Sequence, residues 1–193
     1  MFLSWKYKKR EFSYITEEQL PEVVEMLHNP EAEKYLWFAP ITIEGYSAYC
    51  LPMIDGQKMS LGKGEYPSSA VFTVSENGEL LGSCGINKLP DGHNVAMIGY
   101  QLTPNVWGQG VGTCCAEFLV HYAKNYLNIR KLFGDCVPEN TASVRILEKC
   151  GFSFEGVIKE KYELNGGLHD NSWYGLKMED VVELPKGAVQ EIR

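Results

Sequence analysis

The sequence predicts a mixed α/β (α+β) fold, and three observations carry this prediction. Strand patterns follow one another between residues 69 and 102 and are separated by tight turns. A glycine-rich stretch at 106–113 then leads directly into a helical pattern. A further strand, a helix and a final hairpin follow it. With 193 residues, the chain is expected to form a single domain, 1–193, with a core of its own.

The composition is that of an ordinary globular protein. Hydrophobic residues make up 45% of the chain and charged residues 22%, and the net charge is -7. An acidic chain is poorly suited to nucleic-acid backbones, so we expect no direct nucleic-acid binding. No apolar run has the length of a membrane span. The six cysteines form no C-x-x-C pair and show no metal-ligand spacing, which predicts a cytoplasmic protein without a metal site.

The amino-terminal part predicts one strand followed by helices. Arg10–Ile15 is the candidate first strand. Thr16 and Gln19 have the spacing of a capping box, and the apolar residues after them recur at helical spacing, which predicts a helix at about 17–28. A further helical turn is expected over Glu31–Trp37.

A second helix is predicted over Thr42–Asp55, where aromatic and apolar residues recur at roughly helical spacing. Pro52 is expected to disturb its end, because proline cannot donate a backbone hydrogen bond. The stretch Gly56–Pro67 contains three glycines and predicts a loop. It is long for a connection in a compact domain, which makes it a candidate substrate-side loop.

Three strands are predicted next, over Ser69–Ser75, Glu79–Lys88 and Asn94–Leu102. The first two are joined by Asn77-Gly78, a strong hairpin-turn dipeptide. The second and third are joined by Pro90-Asp91-Gly92, which also favours a turn. The simplest arrangement is an antiparallel meander.

The glycine stretch reads Val-Trp-Gly-Gln-Gly-Val-Gly-Thr over residues 106–113. Glycines leave backbone N–H groups uncovered, and the helix predicted over about 108–126 adds unpaired donors and a partial positive charge. Together these features predict a seat for a phosphate group. Close packing of a helix on a sheet would explain a single glycine, but it explains alternating glycines less well.

Two known phosphate-binding motifs fit this stretch poorly. A dinucleotide-binding turn needs a third glycine where Thr113 stands, although Asp135 has the position of that fold's acidic residue. The strands before the stretch also resemble a meander rather than βαβ units. A P-loop needs a lysine directly after Gly112. The dinucleotide alternative predicts thermal stabilisation by NAD and none by CoA.

The carboxyl-terminal part predicts a strand, a helix and a hairpin. They are expected over Lys131–Val137, Asn140–Lys149, and the pair Phe152–Leu164 and Asn171–Met178. Gly151 is placed to end the helix, and Asn165-Gly166-Gly167 to form the hairpin turn. The tail at about 181–193 shows no clear signal and is expected to be peripheral.

Several stretches resemble the GNAT family of N-acetyltransferases. The glycine stretch resembles the family's acyl-CoA pyrophosphate loop. Trp107 stands where many members have Arg or Gln, and an aromatic residue there is familiar from the branch of the ribosomal-protein alanine acetyltransferases RimJ and RimL. That branch also has an Ile-Gly-Tyr-x-Leu strand, matched here by 98–102. It has a Pro-Glu-Asn-x-Ala-Ser-x-Arg-x-Leu-Glu-Lys-x-Gly-Phe block and an Asn-Gly-x-x-His/Tyr-Asp turn, matched by 138–152 and 165–170.

The resemblance implies a GNAT-like central mixed, mostly antiparallel twisted sheet with helices on both faces, and acetyl-CoA as cosubstrate. Backbone N–H groups from Gln109 to Thr113 would hold the pyrophosphate. The strand end would align the pantetheine arm, and an N–H near Leu102 would stabilise charge on the thioester oxygen. The implied cofactor contacts are Gln101, Leu102, Thr103, Trp107, Gly108, Gln109, Gly110, Val111, Gly112, Thr113, Asn140 and Ser143.

The resemblance also implies candidate catalytic residues. Asn140 falls on the family's asparagine beside the cofactor, and it is also a preferred N-cap residue. Ser143 falls on a serine proposed to protonate the leaving thiolate. The usual acidic residue is replaced by Met97, and a second acidic position aligns with Tyr162, whose pKa would have to fall well below about 10. We therefore expect the amine to lose its proton through an ordered water.

The expected reaction is transfer of acetyl from acetyl-CoA to a primary amine by direct attack in a ternary complex. The resemblance favours a protein N-terminus as acceptor. A small amine, such as a polyamine, an aminoglycoside or an amino acid, is an alternative. A CoA-binding module without transfer activity is another, because Met97 replaces the acidic residue. Whether the chain forms a homodimer is left open by the sequence.

Overall fold

The structure is a computed structural model that describes residues 3–36, 38, 41–90, 93–182 and 188–192. Its strands are β1 (Ser4–Tyr7), β2 (Arg10–Tyr14), β3 (Ser69–Glu76), β4 (Glu79–Lys88), β5 (Val95–Leu102), β6 (Lys131–Cys136), β7 (Ser153–Leu164), β8 (Gly167–Lys177) and β9 (Val189–Ile192). Its helices are α1 (Leu20–Leu27), α2 (Pro30–Glu33), α3 (Ile43–Gly62), α4 (Val111–Tyr126) and α5 (Thr141–Lys149), with 3-10 turns at Glu17–Gln19 and Pro104–Val106. No helix in these ranges is both long and apolar enough to cross a membrane.

The strands form one sheet in the order β7-β8-β6-β5-β4-β3-β2-β1-β9. Neighbouring strands run antiparallel except β5 and β6, which run parallel. The predicted mixed, mostly antiparallel sheet is therefore confirmed. The meander β3-β4-β5 is confirmed with it, and Asn77 and Gly78 in its first turn both have positive φ.

Helices cover both faces of the sheet. On one face, α4 packs its buried side chains on residues such as Phe12 and Phe72. On the other face, α1 and α3 pack on Ile15 and Val71. Val71 and Phe72 are neighbours on β3, and successive residues of a strand point to opposite faces. The two core clusters are thus separated by the sheet.

Helix α3 is longer than predicted. The prediction of a loop over Gly56–Pro67 is therefore wrong for most of that stretch. The helix contains Pro52 and continues to Gly62. One reason is Gln57, which is buried and accepts a hydrogen bond of 3.1 Å from the backbone N–H of Val71. This contact ties the second half of the helix, beyond the proline, to the sheet.

The other predicted helices are found with shifted ends. The helix expected at 17–28 begins as a 3-10 turn and continues as α1; the Gln19 side chain accepts from the N–H of Thr16 at 3.0 Å. Helix α2 covers the start of the turn expected at Glu31–Trp37, whereas Trp37 lies outside the described residues. Asp91 and Gly92 of the second predicted turn also lie outside them.

Two strands come from stretches in which the sequence predicts no element. Strand β1 pairs with β2 and buries Trp5 and Tyr7. Trp5 packs edge-on against Tyr14 and Phe72, so it anchors the amino terminus in the aromatic core. Strand β9 comes from the tail and pairs antiparallel with β1. Strand β8 also begins earlier than predicted, at Gly167.

Candidate active site

A gap opens in the sheet where β5 and β6 stop pairing. The two strands pair only where Val95–Met97 faces Lys131–Phe133. Beyond that point β5 continues to Leu102 and β6 to Cys136. A cavity of about 570 Å³ occupies the gap, with residues of both diverging strands in its walls. The inner edge of β5 is therefore available to a ligand.

The cavity reaches both faces of the sheet. Tyr46, Tyr49 and Met53 of α3 line it on one side. Asn140 and Ser143, at the start of α5, line it on the other. Helix α5 belongs to the α4 face, because Leu147 is part of the same buried cluster. Two molecules that enter from opposite faces can therefore meet inside the gap.

The glycine stretch follows β5 at the same end of the sheet. Gly108 and Gly110 both have φ of 75°, a left-handed conformation that favours glycine. Gly110 is the N-cap of α4, so the helix begins at Val111 rather than at 108 as predicted. Its first backbone hydrogen bond runs from Cys114 to the Gly110 carbonyl. The N–H groups of Val111 to Thr113 therefore have no acceptor within the helix, which is the arrangement that attracts anions at helix N-termini.

Three side-chain hydrogen bonds hold the loop in place. The Trp107 indole donates to the Leu102 carbonyl at 3.0 Å, and the Gln109 amide donates to the Asn105 carbonyl at 2.8 Å. Arg10 reaches over from β2 and donates to the Gln109 carbonyl at 3.2 Å. The N–H of Gln109 itself donates to the Val106 carbonyl. Of the N–H groups predicted to hold the pyrophosphate, that of Gln109 thus has an acceptor within the loop.

Gly112 has a different role from the two glycines before it. A Cβ at this position would lie 2.6 Å from Cδ1 of Ile146. On β6, a Cβ at Gly134 would lie 2.5 Å from Cδ2 of Leu147. These two glycines let α5 pack closely on α4 and on β6. The packing explanation thus applies to Gly112, and the close approach sets the position of the α5 N-terminus beside the cavity.

Asn140 is the N-cap of α5, as predicted. Its side-chain oxygen accepts a hydrogen bond of 3.1 Å from the N–H of Ser143. The Ser143 carbonyl in turn accepts from the Tyr100 hydroxyl at 3.4 Å. Burial raises the pKa of Tyr100, so this hydroxyl stays protonated and remains a donor. The Asn140 cap and the Tyr100 hydroxyl on β5 therefore both fix the first turn of α5 at the cavity.

Tyr162 belongs to a three-residue polar cluster. Its hydroxyl donates to Oδ2 of Asp135 at 3.0 Å, and the buried Asn171 amide donates to the same oxygen at 2.8 Å. Burial and the neighbouring Asp135 carboxylate raise the pKa of Tyr162. This direction is opposite to the one that a general base would need. Tyr162 is therefore a hydrogen-bond donor to Asp135.

Four of the predicted site residues line one cavity: Gln101, Asn140, Ser143 and Tyr162. Leu102, Thr103 and the loop 107–113 are placed next to it in the chain, at the end of β5, and are not among its described lining residues. The sequence pattern did not place Asp135 in the site. It suggested this residue only as the acidic residue of a dinucleotide-binding fold. The available signal was a lone acidic residue within the predicted strand Lys131–Val137.

Cys136 also lines the cavity but is a poor nucleophile. Burial, reinforced by the Asp135 carboxylate, raises its pKa to about 12. The reactive form of cysteine is the thiolate, which is scarce at such a pKa. In the part of the chain that the structure describes, no three His, Cys, Asp or Glu side chains are grouped so that they could hold a metal ion.

Known proteins share this sequence pattern and fold. The model of the acetyltransferase (GNAT) domain family matches residues 11–153. The uncharacterized N-acetyltransferase p20 of Bacillus licheniformis is 28% identical over 148 residues, which cover 77% of this chain and 81% of that protein.

Two solved structures have a similar fold. The ribosomal-protein-S5-alanine acetyltransferase of Vibrio fischeri has a TM-score of 0.76 at 16% identity and covers 92% of this chain and 97% of its own. The spermidine N-acetyltransferase of Vibrio cholerae, solved with CoA and spermine, has a TM-score of 0.73 at 17% identity. The match covers 89% of this chain and 96% of that one. With the family model matching most of its length, the chain belongs to the GNAT family of acetyltransferases, which use acetyl-CoA.

Proposed function

We propose that residues 1–193 act as one N-acetyltransferase domain that acetylates the α-amine of a protein or peptide N-terminus. The acetyl group passes directly from acetyl-CoA to the amine inside the cavity between β5 and β6. The observation that carries this proposal is that residues from both faces of the sheet line the cavity. Acetyl-CoA enters on the face of α4 and α5, and the amine enters on the face of α1 and α3.

Acetyl-CoA is held along a path that starts at the anion seat. The backbone N–H groups of Gly110 to Thr113 bind the pyrophosphate. The pantetheine arm lies along the free edge of β5 at Gln101–Thr103, which places the thioester at the gap. Ser143 lines the same cavity, and its hydroxyl donates the proton that the CoA thiolate gains on leaving.

The acceptor side of the cavity has aromatic walls. Tyr35, Phe38, Tyr46 and Tyr49 line it. Aromatic rings attract an ammonium group through their faces and also bury apolar side chains. Among the described lining residues, Asp135 is the one carboxylate. Such a site suits an acceptor with a single cationic nitrogen next to an apolar body.

A polyamine fits these walls less well. It carries several ammonium groups, and each one buried without a carboxylate costs free energy. The α-amine of a peptide is a single cation followed by a side chain and an amide. The two solved relatives do not separate these acceptors, since a ribosomal-protein acetyltransferase and a spermidine acetyltransferase share the fold.

The six cysteines of the described chain are free thiols. Cys50, Cys84, Cys114 and Cys115 are buried within the two cores. Free thiols are kept in the reducing environment of the cytosol. This supports the expectation that the enzyme works in the cytoplasm, where proteins with free N-termini are made.

The proposal is tested by measuring thiol release from acetyl-CoA against a panel of amines. The panel holds short peptides that differ only in their first residue, the same peptides with a blocked α-amine, spermidine, an aminoglycoside and free amino acids. We expect release with the free peptides, none with the blocked ones, and a much lower kcat/KM with spermidine. Turnover of spermidine above that of every peptide would overturn the proposed acceptor class.

A further inference from the structure

We infer that Asp135 is the catalytic base of this acetyl transfer and takes its proton directly from the acceptor amine. The inference rests on the proposed function, because it uses the same cavity and the same direct attack. It goes beyond that proposal by naming the group that removes the proton. It also replaces the expectation, drawn from the sequence, that the amine loses its proton through an ordered water.

The register of the sheet places Asp135 close to the position where β5 lacks an acidic residue. Met97 on β5 pairs with Phe133 on β6. Paired residues on neighbouring strands point to the same face, and so do residues two apart on one strand. Asp135 therefore points to the same face as Met97, one strand away and two residues further into the gap. Both residues line the cavity.

The carboxylate of Asp135 is held from one side only. Both of its hydrogen bonds, from the Tyr162 hydroxyl at 3.0 Å and from the Asn171 amide at 2.8 Å, end on Oδ2. Among the described residues, none donates a hydrogen bond to Oδ1. A carboxylate oxygen can accept up to two further hydrogen bonds. Oδ1 is thus available to an amine that enters the cavity.

The buried Asn171 amide donates its shorter hydrogen bond to Asp135, at 2.8 Å, and a longer one to the Tyr162 hydroxyl, at 3.5 Å. Its side chain is 0% exposed, and within the described chain its Oδ1 has no hydrogen-bond partner. Burying an unpaired amide oxygen costs free energy. Turning the amide over would aim that oxygen at the carboxylate, which is worse. Asn171 is therefore a positioning residue, and Tyr162 is a second one.

No positive group of the described chain neutralises Asp135. Its hydrogen-bond donors are a neutral hydroxyl and a neutral amide, and no described Lys, Arg or His lines the cavity. A half-buried carboxylate without a cation attracts one. The acceptor ammonium supplies that charge, so the group that binds the amine is also the group that receives its proton.

The reaction balances with Asp135 as the base. The ammonium loses one proton to Asp135, and the nitrogen lone pair then attacks the thioester carbonyl carbon to form the C–N bond. The C–S bond breaks and leaves its electron pair on sulfur. The Ser143 hydroxyl gives its proton to the CoA sulfur and is restored by the second proton of the nitrogen, which leaves the amide neutral. The proton on Asp135 passes to solvent, so each turnover gives one amide, one CoA thiol and one released proton.

The test compares Asp135→Asn with Glu163→Gln. Both variants remove one carboxylate, but Glu163 is exposed and points to the opposite face from Tyr162. With the amine that the wild-type enzyme acetylates fastest, kcat/KM for that amine is expected to fall about 100-fold or more in D135N, the range of general-base catalysis. It is expected to stay within about twofold in E163Q, since surface changes have small effects. The KM for acetyl-CoA is expected to be unchanged in both.

Activity is expressed per CoA-binding site, measured by titration with CoA, so an unfolded fraction of a variant does not enter the comparison. Added formate is expected to restore part of the rate in Asp135→Ala, because it supplies a carboxylate to the vacated space. Tyr162→Phe is expected to lower the same kcat/KM less than D135N does. Wild-type turnover in D135N, or an equal loss in E163Q, would overturn the inference. A different preferred acceptor would overturn the proposed acceptor class and leave this comparison intact.

Discussion

The indole N–H of Trp107 donates a hydrogen bond of 3.0 Å to the backbone carbonyl of Leu102. Leu102 is the last residue of β5, and Trp107 opens the glycine loop. The bond therefore ties the loop to the strand that borders the cavity. The Trp107 side chain is otherwise 46% exposed, so it contributes little to the core.

Trp107→Phe removes this donor and keeps an aromatic ring. We expect the KM for acetyl-CoA to rise between about twofold and tenfold, which corresponds to a hydrogen bond of roughly 0.5–1.5 kcal/mol. The kcat is expected to change little, whereas the thermal unfolding midpoint is expected to fall slightly, because the lost hydrogen bond also holds the folded loop to β5. Initial-rate kinetics and thermal unfolding measure these quantities. A fall in kcat with an unchanged KM would place the residue in the chemistry instead of the cofactor seat.

Gly110→Ala and Gly56→Ala form a matched pair with opposite expected effects on the free energy of unfolding. Gly110 has φ of 75°, where an added Cβ costs about 1–2 kcal/mol. Gly56 lies inside α3, and a Cβ there would meet no atom within 4 Å.

Alanine at 56 is therefore expected to raise the unfolding free energy by up to about 1 kcal/mol, the helix-propensity difference. Alanine at 110 is expected to lower it and to raise the KM for acetyl-CoA, because the N–H groups of the loop shift. Urea unfolding and steady-state kinetics report both effects. Equal and small effects of the two changes would mean that the left-handed turn does not shape the phosphate seat.

Two substitutions of Asn140 distinguish its role as a helix cap from a role in binding the cofactor. Asn140→Ala removes the N-cap of α5 and is expected to lower the unfolding free energy by about 1 kcal/mol. Asn140→Asp keeps an equally good cap, so stability is expected to hold. The aspartate adds a negative charge to the wall of the cavity in which we propose that acetyl-CoA binds, and the KM for acetyl-CoA is expected to rise.

Asn29→Ala is the control for this pair. Asn29 caps α2 by accepting from the N–H of Glu31 at 2.9 Å, and it is not among the described lining residues. It is expected to affect stability without changing the KM for acetyl-CoA. An Asn140→Asp enzyme with wild-type kinetics would reduce Asn140 to a helix cap.

The buried pair Tyr14 and Tyr122 predicts a loss of stability at alkaline pH. Their hydroxyls lie 2.8 Å apart, and Tyr122 also donates to the Pro67 carbonyl at 2.9 Å. Burial raises the pKa of both hydroxyls. In the unfolded chain tyrosine ionises at a pKa of about 10, whereas in the folded protein these two stay protonated.

The folded state then binds more protons than the unfolded state, so the free energy of unfolding falls as pH rises above about 10. Below that pH the two tyrosines make a constant contribution to the free energy of unfolding. Urea unfolding from neutral pH to above 10 measures the slope. The double variant Tyr14→Phe, Tyr122→Phe is expected to make the slope less steep without abolishing it, because burial also raises the pKa of Tyr46 and Tyr100. An unchanged slope in this variant would assign the alkaline loss to other groups.

Local signals predicted much of the fold. The Asn77-Gly78 turn fixes the first hairpin of the meander because both residues adopt positive φ. The Asn140 cap and the left-handed Gly151 bound α5 as predicted. These features depend on neighbours in the chain, so the sequence pattern contains them.

Features that depend on distant contacts could not be predicted in this way. Helix α3 runs past Pro52, and Gln57 contacts the backbone of a strand that comes later in the chain. The gap depends on where pairing of β5 and β6 ends. The place of Asp135 in the site depends on Tyr162 and Asn171, which are brought to it only by the pairing of β6, β7 and β8.

The central claim is that acetyl passes directly from acetyl-CoA to the amine in a cavity that holds both substrates. Initial rates measured over a grid of acetyl-CoA and amine concentrations test it most directly. Double-reciprocal plots are expected to intersect, which shows a ternary complex, and the Cys136→Ala variant is expected to give the same pattern. Parallel lines, together with an acetylated Cys136 in the mass spectrum of the enzyme after acetyl-CoA alone, would contradict the account.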